Sequence, residues 1–248
     1  MADSIFDRAG VLLVHAHPDD ETLATGGLIA ELTARGVRVA VLTATRGEQG
    51  EVVDGPLSPL VGTPELTVHR EGEVAAACRV LGVREHGFLG EPPARAEALA
   101  PRRYTDSGMR WLDEVQTVAG PGDQAGPDSL TNAPPAEVAA DIVAYARAVH
   151  ADAVVGYDSH GGYGHPDHVA LHEPSRAAAA ALGVPFWEVA SDPDTEPGER
   201  IDTPQHLVLL QRALRHHASQ LTVEGADVVH VGGQRQPIQT SFTLRYRA

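Results

Sequence analysis

Short apolar runs alternate with longer segments of helical periodicity along this chain. The apolar runs, which predict buried strands, lie at positions 11–14, 37–42, 153–155 and 185–189. The helical patterns lie at about positions 26–35, 64–81, 135–150, 165–182 and 204–217. Because strands that alternate with helices form parallel sheets with right-handed crossovers, the pattern predicts an α/β fold. We expect a doubly wound, mainly parallel sheet with helices on both faces.

The composition is that of an ordinary globular protein with an excess of acidic residues. Hydrophobic residues make up 42% of the chain, and 34 acidic against 19 basic residues give a formal charge of −15. This charge disfavours nucleic acid as a partner, because a polyanion would meet a repulsive field. No apolar run is long enough to cross a bilayer, and the first residues lack the pattern of a secretory signal. We therefore expect a cytoplasmic protein without a membrane partner.

One long segment, at about positions 89–135, shows neither pattern and is rich in Pro, Gly, Asp and Ser. An internal segment of this kind is usually a binding loop or a lid, and we interpret it as a partly ordered loop beside the active site. The length of 248 residues is compatible with one α/β domain, so residues 1–248 are interpreted as a single domain that carries this insert. The single cysteine, Cys78, lies in a helical apolar pattern and is predicted to be a buried structural thiol.

The candidate chemistry lies in two polar clusters, each of which follows a predicted strand. The sequence His-Ala-His-Pro-Asp-Asp-Glu occupies positions 15–21, and Tyr-Gly-His-Pro-Asp-His occupies positions 163–168. In open α/β sheets, ligands bind at the carboxyl ends of the strands. Histidine and aspartate together supply the nitrogen and oxygen ligands that suit zinc or a similar divalent ion. The hypothesis is that both clusters form one metal site.

A hydrolytic metal site needs three protein ligands and an open position for water, and the candidate ligands are His17, Asp20 and His168. It also needs a carboxylate that takes the proton of the water, for which Asp19 is the candidate general base. His165, three residues before His168 at a predicted helix start, is expected to face the same cavity. As an imidazolium it would stabilise an oxyanion or protonate a leaving amine.

Each cluster taken alone is equally consistent with a turn capped by an aspartate. The presence of two clusters at two predicted strand ends favours the metal site. No G-x-G-x-x-G sequence follows the first strand, so a nicotinamide or flavin cofactor is disfavoured.

The two clusters resemble the two-motif signature of the LmbE-like or PIG-L family of zinc-dependent N-acetylglucosaminyl deacetylases. Three further segments resemble the branch that deacetylates the glucosaminyl-inositol precursor of mycothiol: Gly-Glu-Gln-Gly-Glu at 47–51, Arg-Glu-Gly-Glu at 70–73 and Asp-Ser-Gly-Met at 106–109. The resemblance extends over about positions 11–182 and returns weakly at 217–220, where the sequence is His-Ala-Ser-Gln.

The resemblance implies a Rossmann-like fold with metal on His17, Asp20 and His168 and with Asp19 as the base. It places His165 and Tyr163 at the tetrahedral oxyanion. It also implies that sugar and inositol hydroxyls are held by a further group of residues, namely Glu51, Arg70 and Asp106. Each of these three has a structural alternative: a solvated loop charge, an ion-pair partner on a helix, and a turn former, respectively.

The sequence therefore predicts a metal-dependent amidohydrolase that removes acetyl from an N-acetylglucosaminyl compound, with N-acetyl-glucosaminyl-inositol as the main interpretation. The alternatives are an amidase of mycothiol S-conjugates, a deacetylase of another amino sugar, and a catalytically silent module that binds a sugar or a metal. Zinc is the expected ion, and iron(II) suits the same ligands. A compact loop is expected between positions 189 and 204, where the chain is shorter than is usual for this branch, which leaves the exact substrate open. The oligomeric state, including a homo-oligomer, is open as well.

Overall fold

The computed structural model describes residues 4–113, 115, 118–192 and 197–247. The strands in these ranges are β1 Gly10–His15, β2 Arg38–Thr43, β3 Glu85–Phe88, β4 Arg110–Trp111, β5 Ala119–Gly120, β6 Ala153–Tyr157, β7 Phe186–Val189, β8 Glu199–Asp202, β9 Leu221–Glu224, β10 Asp227–His230, β11 Arg235–Pro237 and β12 Ser241–Arg247. The helices are α1 Asp20–Leu23, α2 Gly26–Ala34, α3 Pro64–Leu81, α4 Pro135–Ala148, α5 Pro166–Leu182 and α6 Leu207–Leu214.

Within the described ranges, seven strands form one sheet in the order β3-β2-β1-β6-β7-β12-β8. The first five are parallel, whereas β12 runs antiparallel to both β7 and β8. The predicted α/β fold with a mainly parallel sheet is thus confirmed. The four strands predicted from apolar runs are β1, β2, β6 and β7, and the five predicted helices correspond to α2 through α6. The strand order reverses between β1 and β6, which is where ligands bind in sheets of this kind.

The sheet has an apolar core on each face. All six residues of β1 are buried, as expected for a central parallel strand that is covered on both sides. Val11 and Leu13 belong to a cluster with α2, α3 and α6, whereas Leu12 and Val14 belong to a cluster with α4 and α5. Cys78 is buried in the first cluster, and burial raises the pKa of its thiol, so its prediction as a structural thiol is consistent with its surroundings.

The segment at 89–135 packs against α4 through polar contacts. It carries the β4–β5 hairpin. Tyr104 is fully buried, and its hydroxyl donates to Asp141 Oδ2 at 2.8 Å. Arg95 Nη1 bridges Asp141 Oδ2 at 2.8 Å and Glu137 Oε1 at 2.7 Å. These contacts give order to a segment whose described residues form little regular structure. The interpretation of the whole chain as one domain stays a prediction.

Several short strands have no counterpart in the apolar runs. Strand β3 has the sequence Glu-His-Gly-Phe and is only partly buried, so it shows no apolar run. Strand β8 falls in the region where a compact loop is expected, and residues 193–196 of that region lie outside the described residues. Strands β9 to β11 form a small antiparallel sheet. In the described ranges, no helix combines the length and the apolar character that crossing a membrane requires.

Leu32 provides a test of the core formed by α2, α3 and α6, because it is fully buried there. We expect Leu32→Ala to lower the free energy of unfolding by about 2–5 kcal/mol, since it removes buried methyl groups and leaves a cavity. Chemical denaturation followed by circular dichroism measures this change. Leu99→Ala is the control, because Leu99 is 45% exposed, and it should change stability by no more than about 0.5 kcal/mol. Equal losses in both variants would contradict this assignment of the core.

Candidate metal centre and active site

Two chain segments meet where the strand order reverses. The first leaves β1 and carries His17 and Asp20, both buried, the latter as the first residue of α1. The second leaves β6 and enters α5, in which His168 lies in the first turn. Gly161, between β6 and α5, has a φ of 68°, and a Cβ atom there would lie 2.8 Å from His168 Cβ. A glycine is therefore needed for the close approach of this loop to His168.

The three candidate ligands place one atom each at the corners of a nearly equilateral triangle. Asp20 Oδ2 lies 3.4 Å from His17 Nδ1 and 3.3 Å from His168 Nε2, and the two ring nitrogens lie 3.3 Å apart. Tetrahedral ligands at zinc bond lengths lie about 3.3–3.4 Å from one another. The spacing of these atoms therefore fits a bound divalent ion.

The opposite ring nitrogens of both histidines have acceptors of their own. His17 Nε2 lies 3.2 Å from Asp167 Oδ2, and His168 Nδ1 lies 3.1 Å from the Gly161 carbonyl oxygen. If each of these nitrogens donates its proton outward, the lone pairs of His17 Nδ1 and His168 Nε2 face Asp20 Oδ2 with no proton among them. Three electron-pair donors in such proximity repel one another unless positive charge lies among them, either as a bound metal ion or as a proton on one of the rings. The chemistry of the donor set thus agrees with the spacing.

Several carboxylates surround His17 and raise its pKa. Burial lowers the pKa of His17, but the carboxylates of Asp106, Asp167 and Asp20 outweigh it, and the net shift is upward. A proton on His17 therefore compensates the carboxylates when no other cation is bound. His17 also lies with Asp106 and Asp167 in a second group of possible ligands, and with His165 and His168 in a third.

Asp19 has an unusual backbone and a carboxylate that is separate from the triad. Its φ of 125° and ψ of −30° lie outside the regions that non-glycine residues favour. Burial raises the pKa of its carboxyl group to about 6, and the nearby Arg70 opposes the rise. Asp19 Oδ2 lies 3.4 Å from Arg70 Nη2. The group is therefore ionised at neutral pH with a pKa close to that range, as a general base requires.

His165 is buried beside the triad and is held as the N-cap of α5. Its Nδ1 accepts the backbone N–H of Asp167 at 3.2 Å, so the neutral ring carries its proton on Nε2. Burial, together with His17 and His168, lowers the pKa of His165 to about 3. The resting site therefore favours a neutral imidazole that donates from Nε2, in contrast to the imidazolium expected from the sequence.

Tyr163 lies on the exposed side of the site. Its side chain is 65% exposed, and its ring centroid lies 5.2 Å from that of His168 and 6.0 Å from that of His165. Glycines at positions 161, 162 and 164 surround it, all with positive φ. Tyr163 is therefore accessible to a ligand that approaches the two histidines.

The three residues that the resemblance assigns to hydroxyl binding differ in their surroundings. Arg70 is 3% exposed and donates from Nη1 to the Gly47 carbonyl at 2.9 Å and from Nη2 to the Pro18 carbonyl at 2.6 Å. A Cβ atom at Gly47 would lie 1.8 Å from Arg70 Nη1, so the loop needs a glycine there. Glu51 is exposed. Arg70 thus connects the loop that contains Gly47 with the loop that contains Pro18. The side chain of Glu51, in contrast, is accessible to solvent.

Asp106 joins the inserted segment to the site. Its Oδ1 lies 3.5 Å from His17 Nε2 and accepts the Gly108 N–H at 2.7 Å, while its Oδ2 accepts the Gln49 N–H at 3.2 Å. Burial raises the pKa of Asp106, but the neighbouring His17 and the hydrogen bonds from His17 and the Gly108 N–H outweigh this effect and hold the pKa well below its usual range, so the group is ionised. Asp106 therefore contributes negative charge beside His17.

Sequence reasoning missed Tyr157, which supports two of the three candidate ligands. Its hydroxyl accepts the Ala16 N–H at 3.0 Å and donates to Asp20 Oδ2 at 2.9 Å. Its ring stacks on His168 with centroids 4.3 Å apart and an angle of 12°. The signal in the sequence was a single hydroxyl at the end of an otherwise apolar run. Asp167, whose Oδ2 accepts from His17 Nε2, lies in the second motif, but the sequence pattern assigns no role to it.

We expect Tyr157→Phe to weaken metal binding by roughly 10- to 100-fold, because residues that orient metal ligands have effects of this size. The variant keeps the ring that stacks on His168 and removes the hydroxyl, which donates to Asp20 and accepts the Ala16 N–H. Competition with a chelator of known affinity, followed by metal analysis, measures the change. Tyr145→Phe, at a second buried tyrosine on α4, is the control. Unchanged metal affinity in Tyr157→Phe would show that the hydroxyl does not orient Asp20.

Comparison with known proteins agrees with the two motifs. The family model described as "GlcNAc-PI de-N-acetylase" (PIG-L) matches residues 12–182. A protein of Kineococcus radiotolerans named "1D-myo-inositol 2-acetamido-2-deoxy-alpha-D-glucopyranoside deacetylase" is 46% identical over 190 residues. That match covers 73% of this chain and 50% of the relative, so it spans half the length of that protein. A protein of the same name from Actinosynnema mirum is 38% identical over 267 residues, covering 92% of this chain and 88% of the relative.

A solved structure shows the same fold at lower sequence identity. The N,N'-diacetylchitobiose deacetylase from Pyrococcus horikoshii superposes with a TM-score of 0.58 at 22% identity, over 85% of this chain and 70% of that one. Because the family model matches well over half of the sequence and contains both motifs, the chain belongs to the PIG-L family of de-N-acetylases.

Proposed function

We propose that the protein is a metal-dependent N-deacetylase that hydrolyses the acetamide of N-acetyl-glucosaminyl-inositol in mycothiol biosynthesis. The observation that carries the proposal is the triangle formed by His17, Asp20 and His168, beside an ionisable carboxylate, Asp19, that the triangle does not use. The names of the relatives from Kineococcus and Actinosynnema support the choice of substrate. Cytoplasmic localisation, the oligomeric state and a single-domain organisation over residues 1–248 stay predictions.

Zinc is the proposed ion, because two imidazoles and one carboxylate form a donor set that suits it, and iron(II) is the alternative with the same donors. His17, Asp20 and His168 would hold the ion. When bound, it would supply the Lewis acidity that activates water and polarises the acetamide carbonyl.

Different residues of the protein carry out the proton transfer and stabilise the negative charge that develops on the carbonyl oxygen. Asp19 takes a proton from the water that attacks the carbonyl carbon, and its pKa of about 6 suits this role near neutral pH. His165 donates a hydrogen bond from Nε2, and Tyr163 one from its hydroxyl, to the oxygen that becomes negative. The proton that Asp19 has taken from water then passes to the nitrogen as the C–N bond breaks, which releases acetate and the free amine and returns Asp19 to its carboxylate form.

The inositol end of the substrate requires contacts remote from the acetamide. Of the three residues proposed to hold hydroxyls, Glu51 is exposed, whereas Arg70 and Asp106 are mostly buried and hydrogen-bonded to neighbouring loops. We propose that Glu51 makes the outer contact with the substrate. Arg70 and Asp106 would then contact the substrate only with the small part of each side chain that is accessible. Their main effect would be to position the loops to which they are hydrogen-bonded.

Ligands and base are expected to respond differently to substitution. His17→Ala, Asp20→Ala and His168→Ala should each lower metal content, because each removes one corner of the triangle. Asp19→Ala should retain the metal and lower kcat by about 10²- to 10⁴-fold, the range typical of a general base. Metal analysis after dialysis and steady-state kinetics measure both effects. A metal-free Asp19→Ala beside a metal-loaded Asp20→Ala would reverse the assignment.

A substrate panel tests the proposed function and the role of Glu51 together. Release of free amine is measured from N-acetyl-glucosaminyl-inositol, N-acetylglucosamine and a mycothiol S-conjugate, and the first should give the highest kcat/KM. Glu51→Ala should lower kcat/KM for the inositol-bearing substrate about 10-fold more than for N-acetylglucosamine, as expected for loss of one hydrogen bond to a charged group. Glu65→Ala, at an exposed glutamate in the first turn of α3, is the control.

The other outcomes of the panel discriminate between the alternatives. A higher kcat/KM for the S-conjugate would identify an amidase of mycothiol conjugates. No amine release from any substrate by metal-loaded protein would identify a catalytically silent module. Equal proportional losses on both sugars in Glu51→Ala would remove the argument for an inositol contact at this residue.

A further inference from the structure

The peptide bond between Pro18 and Asp19 is held at both of its polar ends by buried charged side chains. Arg70 Nη2 donates to the Pro18 carbonyl oxygen at 2.6 Å, and the Asp19 N–H donates to Glu21 Oε2 at 3.0 Å. These two groups belong to one planar peptide unit and point in opposite directions. The hydrogen bonds from Arg70 and to Glu21 therefore fix the orientation of this peptide plane.

The orientation of this peptide matters because Asp19 has an unfavourable backbone conformation. A φ of 125° is rare for a residue with a side chain, and such conformations persist only where the surroundings hold them. Rotation about the bond from the Asp19 nitrogen to its Cα atom would change the direction of its carboxylate. The two hydrogen bonds that hold the Pro18–Asp19 peptide therefore determine the direction of the Asp19 carboxylate.

The same turn separates the two adjacent aspartates. Asp20 Oδ2 lies within 3.4 Å of His17 Nδ1 and His168 Nε2, whereas Asp19 Oδ2 lies 3.4 Å from Arg70 Nη2. Neighbouring carboxylates thus have different partners. A relaxed backbone at Asp19 would remove the cause of this separation.

Glu21 is itself held by a residue from the C-terminal part of the chain. Its Oε1 lies 2.9 Å from His217 Nε2, and both side chains are completely buried. The Thr22 hydroxyl donates to the same oxygen. His217 begins the His-Ala-Ser-Gln segment at 217–220, whose Ser219 donates from its backbone N–H to Glu73 Oε1 of α3 at 2.8 Å. The segment is therefore anchored independently of the turn that it supports.

We propose that Glu21, fixed by His217, is a positioning residue that aims the carboxylate of Asp19. This inference rests on the proposed role of Asp19 as the general base. Glu21 keeps one oxygen for the Asp19 N–H and uses the other for His217, so the pair transmits the position of the 217–220 segment to the base. The segment thereby acquires a role in catalysis without contacting the substrate.

Substitutions at Glu21 show whether its hydrogen bond to the Asp19 N–H or its negative charge is important for catalysis. Glu21→Asp keeps the charge but shortens the side chain, so it cannot reach His217 and the Asp19 N–H together, and Glu21→Leu removes both contacts. We expect kcat to fall by about 10- to 100-fold in both variants, because a displacement of about 1 Å in a reacting group has effects of this size. KM and metal content should stay close to those of the unmodified enzyme. Glu21→Gln retains an acceptor for the Asp19 N–H and should retain most of kcat.

A matched pair of variants separates positioning from general loosening of the fold. His217→Leu removes the partner of Glu21, and His172→Leu removes the partner of Glu188 in a second buried pair, with 2.7 Å between His172 Nε2 and Glu188 Oε1. Thermal unfolding should show that both variants are destabilised, whereas only His217→Leu should lower kcat beyond the loss of folded protein. Equal effects on kcat would overturn the proposal.

A double-mutant cycle shows whether Glu21 acts through Asp19. Glu21→Asp should lower kcat in the unmodified enzyme but have little further effect in an Asp19→Ala background, since residues that act as a unit are not additive. A similar loss in both backgrounds would overturn the positioning role while leaving Asp19 as the base. A normal kcat in Asp19→Ala alone would instead overturn the proposed function. If Glu21→Leu does not fold, the cycle with Glu21→Asp still decides.

Discussion

The central strand β1 is paired in parallel on both sides, with β2 and with β6, and all its residues are buried. The crossover connections that leave β1 and β6 diverge, because the strand order reverses between them. A crevice therefore opens at the carboxyl ends of these two strands, because no connecting helix covers them there. The candidate ligands come from the segments that follow these strands, and they meet although they are about 150 residues apart in sequence. The closeness of these groups depends on the parallel pairing of β1 with β6.

The crevice is lined by polar groups that are buried, and each of them needs a partner. Tyr157 supplies a hydroxyl to Asp20, Asp167 accepts from His17, and the Gly161 carbonyl accepts from His168. These partners fix the side-chain orientations before any ion or substrate binds. A site that is oriented in advance loses less free energy in ordering its ligands when it binds an ion. The same principle extends to Asp19, whose peptide is held by two charged side chains.

The sequence predicted those features that depend on local pattern. Apolar runs located β1, β2, β6 and β7, and the two His-Pro-Asp motifs located the triad because they follow two of these strands. Strand β3 was missed, since Glu-His-Gly-Phe at the sheet edge shows neither an apolar run nor alternation. The roles of Tyr157 and of the Glu21–His217 pair depend on contacts between residues 137 and 196 positions apart, respectively, and no local pattern encodes these. The neutral state of His165 follows from burial and from two neighbouring histidines, which only the folded chain brings together.

The position of β12 has a consequence for the order in which the sheet is completed. Residues 241–247 lie between β7 and β8 and pair with both, although β7 ends at Val189. During synthesis, β7 is made about fifty residues before its antiparallel neighbour, and its sequence Phe-Trp-Glu-Val presents an apolar edge with unpaired backbone groups for that interval. Exposed edges of this kind are prone to pair with other chains. In nascent or C-terminally truncated protein, the β7 edge is therefore open to pairing with other chains, far along the sequence from the metal motifs.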